Sequence, residues 1–420
     1  MVYNVSMEKI TTAIIGGGAS GLFLANSLLS KNGKICVFER SERVGKKLSA
    51  TGNGQGNLTN LCVLQEDYFS FSKNGAERAK TVIRRFDNQS LREFFRELGV
   101  LTLADERGRV YPAGKQASAL TDALRYGLER KGVSLLTNAK IIELTKGSDC
   151  FVLKAETQEG EKSFQAQNVV ICAGGVAAKN FGTDGLGYRL AESFGHTRTR
   201  VYPSLVQLKT DARDIKSLKG IKIMDARVTA RYTENGKEQE KSVVGDLLFT
   251  DYGVSGDAIF RLSAYVSHCI ERGVSLFVDF LPQILEQEVL HSIEQKRRAF
   301  PNLPQSELLG GTLNNQVGRA ILKRAENNLP FAAELVKNFE LRVTGSLGFD
   351  YAQVTKGGIP LDEVDETLQS KYAKNLYFAG EILDVDGPCG GFNLQWAYAS
   401  AKLVAETLNG RENEKGRGQV

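Results

Sequence analysis

Histidine is scarce in this 420-residue chain: His196, His268 and His291 are the whole supply, so no histidine-built metal centre is expected. The six cysteines (Cys36, Cys62, Cys150, Cys172, Cys269 and Cys389) contain no C-x-x-C pair. That spacing argues against a disulfide framework, a zinc site and a redox dithiol. Cys36 and Cys172 lie inside apolar runs, where cysteine serves as a small hydrophobe. No apolar run reaches membrane-spanning length and no signal-peptide pattern is present, so the expected compartment is the cytoplasm and no membrane partner is expected. Met1–Ser6 carries no structural pattern, which makes Met7 an alternative first residue. A strong charge of one sign is also missing. Fifty-four basic and 49 acidic side chains leave +5, which neither requires nor excludes an anionic partner. With 42% hydrophobic and 25% charged residues, the chain reads as globular and long enough for two or three domains.

Glycine, by contrast, is plentiful and placed. Residues 12–40 read TAIIGGGASGLFLANSLLSKNGKICVFER. Thr12–Ile15 is a short buried strand, Gly16, Gly18 and Gly21 fit G-x-G-x-x-G, and Leu22, Leu24, Ala25, Leu28 and Leu29 form an apolar helix face that Gly33 ends. Ile35–Phe38 makes a second strand closed by Glu39, which follows Gly21 by 18 positions. The glycines divide the work among themselves. Gly16 permits the tight turn, Gly18 lets a pyrophosphate approach the backbone, and Gly21 lets helix and strand pack closely. The helix N-terminus, at Ala19 and Ser20, offers unpaired amides and a positive dipole end. A carboxylate at the distance of Glu39, with Arg40 beside it, suits a ribose hydroxyl. These features identify a dinucleotide site.

Gly45–Asn60 is rich in glycine and asparagine and poor in apolar residues, so it forms a long loop, and its two lysines suit an anionic ligand. Residues 76–99 read as one amphipathic helix ending at Gly99. A hairpin-like stretch through Arg109–Pro112 follows, then a helix over Ala117–Lys131. Val133–Leu136, Ile141–Leu144, Cys150–Ala155 and Ser163–Gln165 are strands. Asn168–Gly175 returns to the central sheet beside the first strand. From Val201 the texture is antiparallel β with an Asn235-Gly236 turn, and residues 284–339 are helical with breaks at Pro301, Pro304 and Pro330. Asn375–Glu381 is a last buried strand, and Phe392–Leu408 a helix closed by Asn409-Gly410. The tail Arg411–Arg417 reads as frayed. The expected architecture is α/β: a dinucleotide-binding domain over 1–198 and 351–420, an inserted antiparallel β domain over 199–285 and 336–350, and a small helical domain over 286–335.

Several ordered motifs resemble the BaiN/RdsA-type flavoproteins. They are GNGQGNLTN, GRVYPAGKQA (Gly108–Ala117), GDLLFTDYGVSGDAI (Gly245–Ile259), VTKGGIPLDEV (Val354–Val364) and GEILDVDGPCGGFNLQWA (Gly380–Ala397). The resemblance spans about residues 11–408. It implies FAD in a two-dinucleotide-binding-domain type fold split by a β-barrel and a small helical domain, with Glu39 at the adenosine ribose and Glu381 near the ribityl chain. The implied cofactor-binding set is Gly16, Gly18, Ala19, Ser20, Gly21, Glu39, Arg40, Lys47, Thr51, Gly52, Asn53, Gly54, Asn57, Ala173, Gly174, Gly175, Gly380, Glu381, Gly390, Gly391, Phe392 and Asn393. The family loop reads GGGRCN, and here Gln55 and Gly56 replace its Arg and Cys, removing a fixed cation and a soft side chain. Asp251 stands where relatives often carry a His.

The resemblance implies more than one activity: steroid enone reduction, aminoacetone oxidation, or dihydrouridine formation in ribosomal RNA. The leading reading is an FAD-dependent oxidoreductase of a small organic substrate, with NAD(P)H as a transient electron donor. A second is an RNA-modifying flavoenzyme using Arg78, Lys80, Arg84 and Arg85 on one helix and Lys296-Arg297-Arg298 on another; the near-neutral total charge does not favour it. The third is a flavin-bearing non-enzyme. Candidates for proton transfer are Tyr111, Tyr252 and Cys389, with Tyr398 and Lys115 behind them.

Overall fold

The computed structural model describes residues 7–29, 33–65, 67–211, 215–326 and 328–417; Met1–Ser6 lie outside the described residues. The chain divides into two compact units, Met1–Val201 with Val354–Val420, and Tyr202–Gln353.

The first unit is built on a seven-stranded sheet. Its heart is β1 (Glu8–Ile15), wholly buried over Thr12–Ile15 and flanked by parallel β2 (Ile35–Phe38) and by the long strand Gly160–Ile171. β-Branched and apolar residues on both faces suit a sheet covered by helices. Ser134–Leu136 extends the sheet beyond β2. The strand Gly160–Ile171 is shared: its first half pairs antiparallel with Phe151–Thr157, and its last residues pair parallel with Leu376–Phe378. The C-terminal strand thus returns to the N-terminal sheet at the end where β1 stops.

Helix α1 (Ala19–Ser27) is buried from Ser20 to Asn26 and packs against Ala117–Lys131 and the C-terminal helix Phe392–Arg417. Phe23 anchors that contact, meeting Phe94, Phe95 and Tyr398 edge-on at 5.4–5.8 Å. Burial of a phenylalanine of this kind contributes about 1.5–3 kcal/mol.

Four local expectations change. α1 stops at Ser27, before Gly33, because Asn409 caps it from afar: its Oδ1 accepts the Leu29 amide and its Nδ2 donates to the Ser27 carbonyl. The last helix does not end at Asn409-Gly410: it continues to Arg417, where a frayed tail was expected. The span 76–99 is two helices, Gly75–Arg85 and Asn88–Glu97, because Asp87 leaves helical geometry and its Oδ1 accepts the Ser90 amide as an N-cap. Pro330 opens the helix Leu329–Lys337 rather than breaking one, since a first-turn proline lacks only an amide that has no helical partner.

The second unit holds a closed six-stranded antiparallel barrel: Leu208–Thr210, Gly253–Ser255, Lys237–Phe249, Lys222–Glu234, Val274–Asp279 and Phe339–Ser346. Asn235 and Gly236, both at positive φ (51° and 74°), make the two-residue hairpin between the longest strands. Helices Glu286–Ala299, Asn315–Arg324 and Leu329–Lys337 lie between the last two barrel strands in sequence.

Candidate functional site

Ile15, Phe38, Ile171 and Phe378 are in register, so Gly16, Glu39, Cys172 and Ala379 leave the sheet at one edge. Ligands of open parallel sheets gather at such a carboxyl edge. Gly16 has φ +112°, and a methyl there would lie 2.6 Å from the Cys172 carbonyl oxygen. A methyl on Gly21 would lie 2.0 Å from the Gly16 carbonyl oxygen, so helix and turn touch only because both residues are glycine. Gly18 differs: a methyl there meets nothing within 4 Å. It is the N-cap of α1, and having no side chain it leaves the first-turn amides without a side-chain cap. Two glycines close the turn and the third leaves an approach to the backbone, which is the cradle a pyrophosphate requires.

Glu39 is fixed beside this cradle. Its Oε2 accepts the Gly17 amide at 2.9 Å and its Oε1 accepts the Ser41 amide at 2.7 Å. Each oxygen keeps a second lone pair, so the carboxylate can accept two more hydroxyls. Arg40 forms a 2.6 Å ion pair with Asp184. Lys47 reaches Glu381 at 2.7 Å, and the other oxygen of Glu381 accepts the Thr355 amide. Thr355, which sequence reasoning missed, is the hub here: its hydroxyl accepts the amides of Val176 and Ala177, just after Ala173, Gly174 and Gly175. A methyl on Gly175 would strike that hydroxyl at 2.3 Å.

The C-terminal turn closes the same region. Gly380 donates its amide to Ser400 Oγ, and a methyl on it would lie 2.6 Å from Ser20 Oγ. Gly391 (φ +100°) lies on Thr59, whose carbonyl carbon and oxygen a methyl would meet at 2.5 Å. Phe392 then starts the last helix and packs edge-on against Tyr68. Asn393 locks the turn by bonding both backbone groups of Gly387. Asn57 is likewise engaged with the backbone, donating to the Thr59 and Val110 carbonyls. Thr51 bonds the Leu48 carbonyl, while Gly52 (φ 56°), Asn53 (φ 59°) and Gly54 (φ 83°) form the tip of that loop.

Among the proton-transfer candidates, the Tyr111 ring packs on Gly52 and stands beside the Arg109 guanidinium. Cys389 is half-buried in the turn before Gly390-Gly391. Lys115 is exposed at positive φ. Tyr252 belongs to the barrel unit, between Lys237–Phe249 and Gly253–Ser255, where its neighbour Asp251 pairs with Lys219. Tyr398 is a core residue: its hydroxyl is bound by Ser90, and burial pushes the phenol up to about 12. Burial likewise raises the thiols of Cys36 and Cys172 to about 12, which makes both poor nucleophiles at neutral pH.

Sequence reasoning also missed a buried charged group. Lys356, 2% exposed, pairs with Asp386, 1% exposed, at 3.2 Å, and its ammonium lies 3.7 Å from the centre of the Phe69 ring. Close by in sequence, buried Asp384 accepts four bonds on Oδ2 from Ser70, Phe71 and both donors of Ser72, while its Oδ1 has no partner. Burial raises this carboxyl to about 6. The signal in the sequence is the ionisable residues inside the VTKGG and DVDG stretches.

Each basic side chain of the helix Gly75–Arg85 has a partner within the protein, though Arg84 and Arg85 remain more than half exposed. Arg78 donates to the carbonyls of Leu361, Val364 and Asp365, and Lys80, Arg84 and Arg85 pair with Asp67, Glu77 and Glu406. In the second unit Lys296 bonds the Gly310 carbonyl and Arg298 pairs with Glu294.

Residues 10–407 match the family described as HI0933-like protein Rossmann domain. A 3-dehydro-bile acid Δ(4,6)-reductase of Clostridium scindens is 34% identical over 93% of this chain and 97% of its own. A ribosomal RNA dihydrouridine synthase of Haemophilus influenzae is 27% identical over 94% of this chain and 98% of its own. A solved 3-ketosteroid Δ4-(5α)-dehydrogenase of Rhodococcus jostii shares the fold, with a TM-score of 0.52 at 13% identity, covering 97% of this chain and 99% of that one. No described helix is long and apolar enough to cross a membrane.

Proposed function

The chain belongs to the HI0933-like family and is an FAD-dependent oxidoreductase, and from that premise we propose that it reduces a carbon–carbon double bond conjugated to a carbonyl in a small apolar molecule, with NAD(P)H as electron donor. The residues present fit FAD, because the open approach at Gly18 beside the closed turn of Gly16 and Gly21 is a cradle for its pyrophosphate. When bound, FAD supplies a ring that takes up a hydride and passes it on.

The protein's own residues would do the rest. The first-turn amides of α1 hold the diphosphate. Glu39, oriented by the amides of Gly17 and Ser41, accepts ribose hydroxyls. Glu381, oriented by Lys47 and Thr355, accepts hydroxyls of the chain joining ring and phosphate. The turn Gly390-Gly391 and the N-terminus of the last helix set backbone donors and a positive dipole end where negative charge gathers on a reduced ring. The barrel and the helices between its last strands would form separate inserted domains.

The observation that carries the small-molecule reading is the neutralised helix Gly75–Arg85, whose four basic side chains are engaged by acids and carbonyls of the protein itself. A phosphate would have to compete with those partners for each side chain. The names of the 27% and 25% identical relatives favour ribosomal RNA as a second reading. The test supplies the reduced protein with either a 3-oxo-4,6-diene bile acid or a ribosomal RNA transcript, and follows flavin reoxidation under anaerobic conditions. Faster reoxidation with the oxo compound is expected. Reoxidation by RNA alone would transfer the assignment to RNA modification.

A further inference from the structure

A small three-stranded sheet stands against the two glycine segments, and its outer strand and Arg109 have no part in the function proposed above. Its strands are Thr59–Asn60, Arg109–Pro112 and Thr102–Ala104. Leu103 is paired with Tyr111, and the Ala113 amide donates to the Leu101 carbonyl, so Leu101, Leu103, Arg109 and Tyr111 share one face of an antiparallel ladder. Leu101 and Leu103 are 68% and 62% exposed, unusual for leucines in a sheet. On the same face Asp105 holds the Arg109 guanidinium by two bonds, from Nε at 2.8 Å and from Nη2 at 2.7 Å. The other oxygen of Asp105 accepts the backbone amides of Arg107 and Arg109, so the carboxylate is itself fixed. These bonds keep the Asp105 carboxyl below the usual range despite its burial.

The location of this face is set by its neighbours. A methyl on Gly52 would lie 3.4 Å from the Tyr111 ring, and one on Gly390 would lie 3.8 Å from Arg109 Cγ and 3.5 Å from Asn60 Nδ2. The Asn60 amide donates to the Gly390 carbonyl, and Gly391 rests on Thr59. The sheet therefore joins the loop 52–57, part of the cofactor-binding set that the resemblance implies, to the diglycine turn proposed above to face the reduced ring of FAD.

We propose that this face is the substrate platform, taking a flat apolar molecule with one carbonyl oxygen: Leu101 and Leu103 cover its apolar body, and Arg109, aimed by Asp105, binds the oxygen. The proposal rests on the FAD reading only for its place beside the ring. A guanidinium already balanced by a fixed carboxylate, at the end of an apolar strip, matches a ligand with one electron-rich oxygen and a hydrocarbon remainder better than it matches a polyanion. Asp105 is a positioning residue: Nε and Nη2 of Arg109 converge on its Oδ2, while its Oδ1 is anchored by two backbone amides, and a lysine ammonium could not reproduce that two-nitrogen grip.

The experiment measures binding by calorimetry, which does not depend on flavin, for a 3-oxo-4-ene steroid and for the same steroid lacking the 3-oxygen. FAD content is measured on the same samples from the acid-released flavin. Wild type should bind the oxo probe more tightly. Arg109→Met should weaken the oxo probe about 10- to 100-fold, the size of one lost charge-assisted hydrogen bond, and leave the deoxo probe unchanged. Arg109→Lys should recover only part of the loss, and Leu103→Glu should weaken both probes. Should Arg109→Met prove unstable, the loss of oxo selectivity in Asp105→Asn serves in its place. Equal affinity of wild type and all variants for both probes overturns the platform. Arg109-dependent binding of a ribosomal RNA fragment with no binding of either steroid overturns it in favour of a phosphate contact. Protein without FAD that still shows Arg109-dependent oxo selectivity would sink the FAD reading and leave the platform standing.

Discussion

Lys47 and Glu381 lie 334 positions apart in the chain and meet at 2.7 Å, closing the N-terminal loop onto the end of the C-terminal strand. Their side chains are 30% and 22% exposed, so the ion pair itself contributes no more than about 1 kcal/mol. The bond from the Thr355 amide to the other oxygen matters more, because losing it strands a buried donor, at about 1–3 kcal/mol. Glu381→Gln, which keeps an acceptor, should therefore cost less than about 1 kcal/mol, and Glu381→Ala should cost clearly more. Denaturant unfolding of both variants checks the order. Equal losses would show that the ion pair, and not the Thr355 bond, holds this closure.

Replacing Glu39 with alanine removes the two oxygens that the Gly17 and Ser41 amides hold in place. FAD affinity should fall roughly 10- to 150-fold, the equivalent of about 1.5–3 kcal/mol for one charged hydrogen bond. Fluorescence titration of stripped protein with FAD measures it. An unchanged dissociation constant would make Glu39 a brace for the turn and nothing more.

Two glycines at positive φ separate strain from crowding. At Gly54 (φ +83°) a methyl meets nothing, while at Gly391 (φ +100°) it meets the Thr59 backbone at 2.5 Å. Gly54→Ala should cost about 1 kcal/mol for the backbone conformation alone. Gly391→Ala should cost several times more, because neither backbone can yield without moving the turn. Thermal melts of the two variants should show the larger drop at Gly391, and equal drops would mean that the turn is free to shift.

Asp384 gives the protein a pH signature. Burial raises its carboxyl from an ordinary 3.8 to about 6, so the folded state holds a proton that the unfolded chain releases. Stability from this group is therefore fully present below pH 3.8 and is lost as pH rises through about 6. Asn cannot titrate. The advantage of wild type over Asp384→Asn should shrink by roughly 2 kcal/mol between about pH 4 and 7.5. A difference that is flat with pH, or that widens toward neutral pH, would show that the four donors on Oδ2 outweigh desolvation.

The sequence displayed the sheet edge well because its signals are local. The spacing of Gly16, Gly18, Gly21 and Glu39 carries the geometry of one turn, and Asn235-Gly236 carries that of one hairpin. What stayed hidden depends on partners hundreds of positions apart. Asn409 binds the end of α1 while its own helix runs on to Arg417, a pairing invisible without knowing that residues 27–29 lie beside it. The same is true of Thr355, whose hydroxyl serves Val176 and Ala177, and of Lys356, whose charge inside an apolar run makes sense only opposite Asp386. Arg78 and its basic neighbours share one helix in the sequence, and only the fold supplies their partners: carbonyls of Leu361, Val364 and Asp365 for Arg78, and Asp67 and Glu406 for Lys80 and Arg85, while Arg84 faces Glu77 of its own helix.

The central claim is that the cradle of Gly16, Gly18, Gly21 and Glu39 and the turn of Gly390-Gly391 hold one FAD between them. The direct measurement is the absorbance spectrum of the purified protein, followed by acid precipitation and quantification of the flavin in the supernatant. The account predicts a yellow protein that releases one FAD per chain without proteolysis. A colourless protein that takes up no FAD on titration would contradict it.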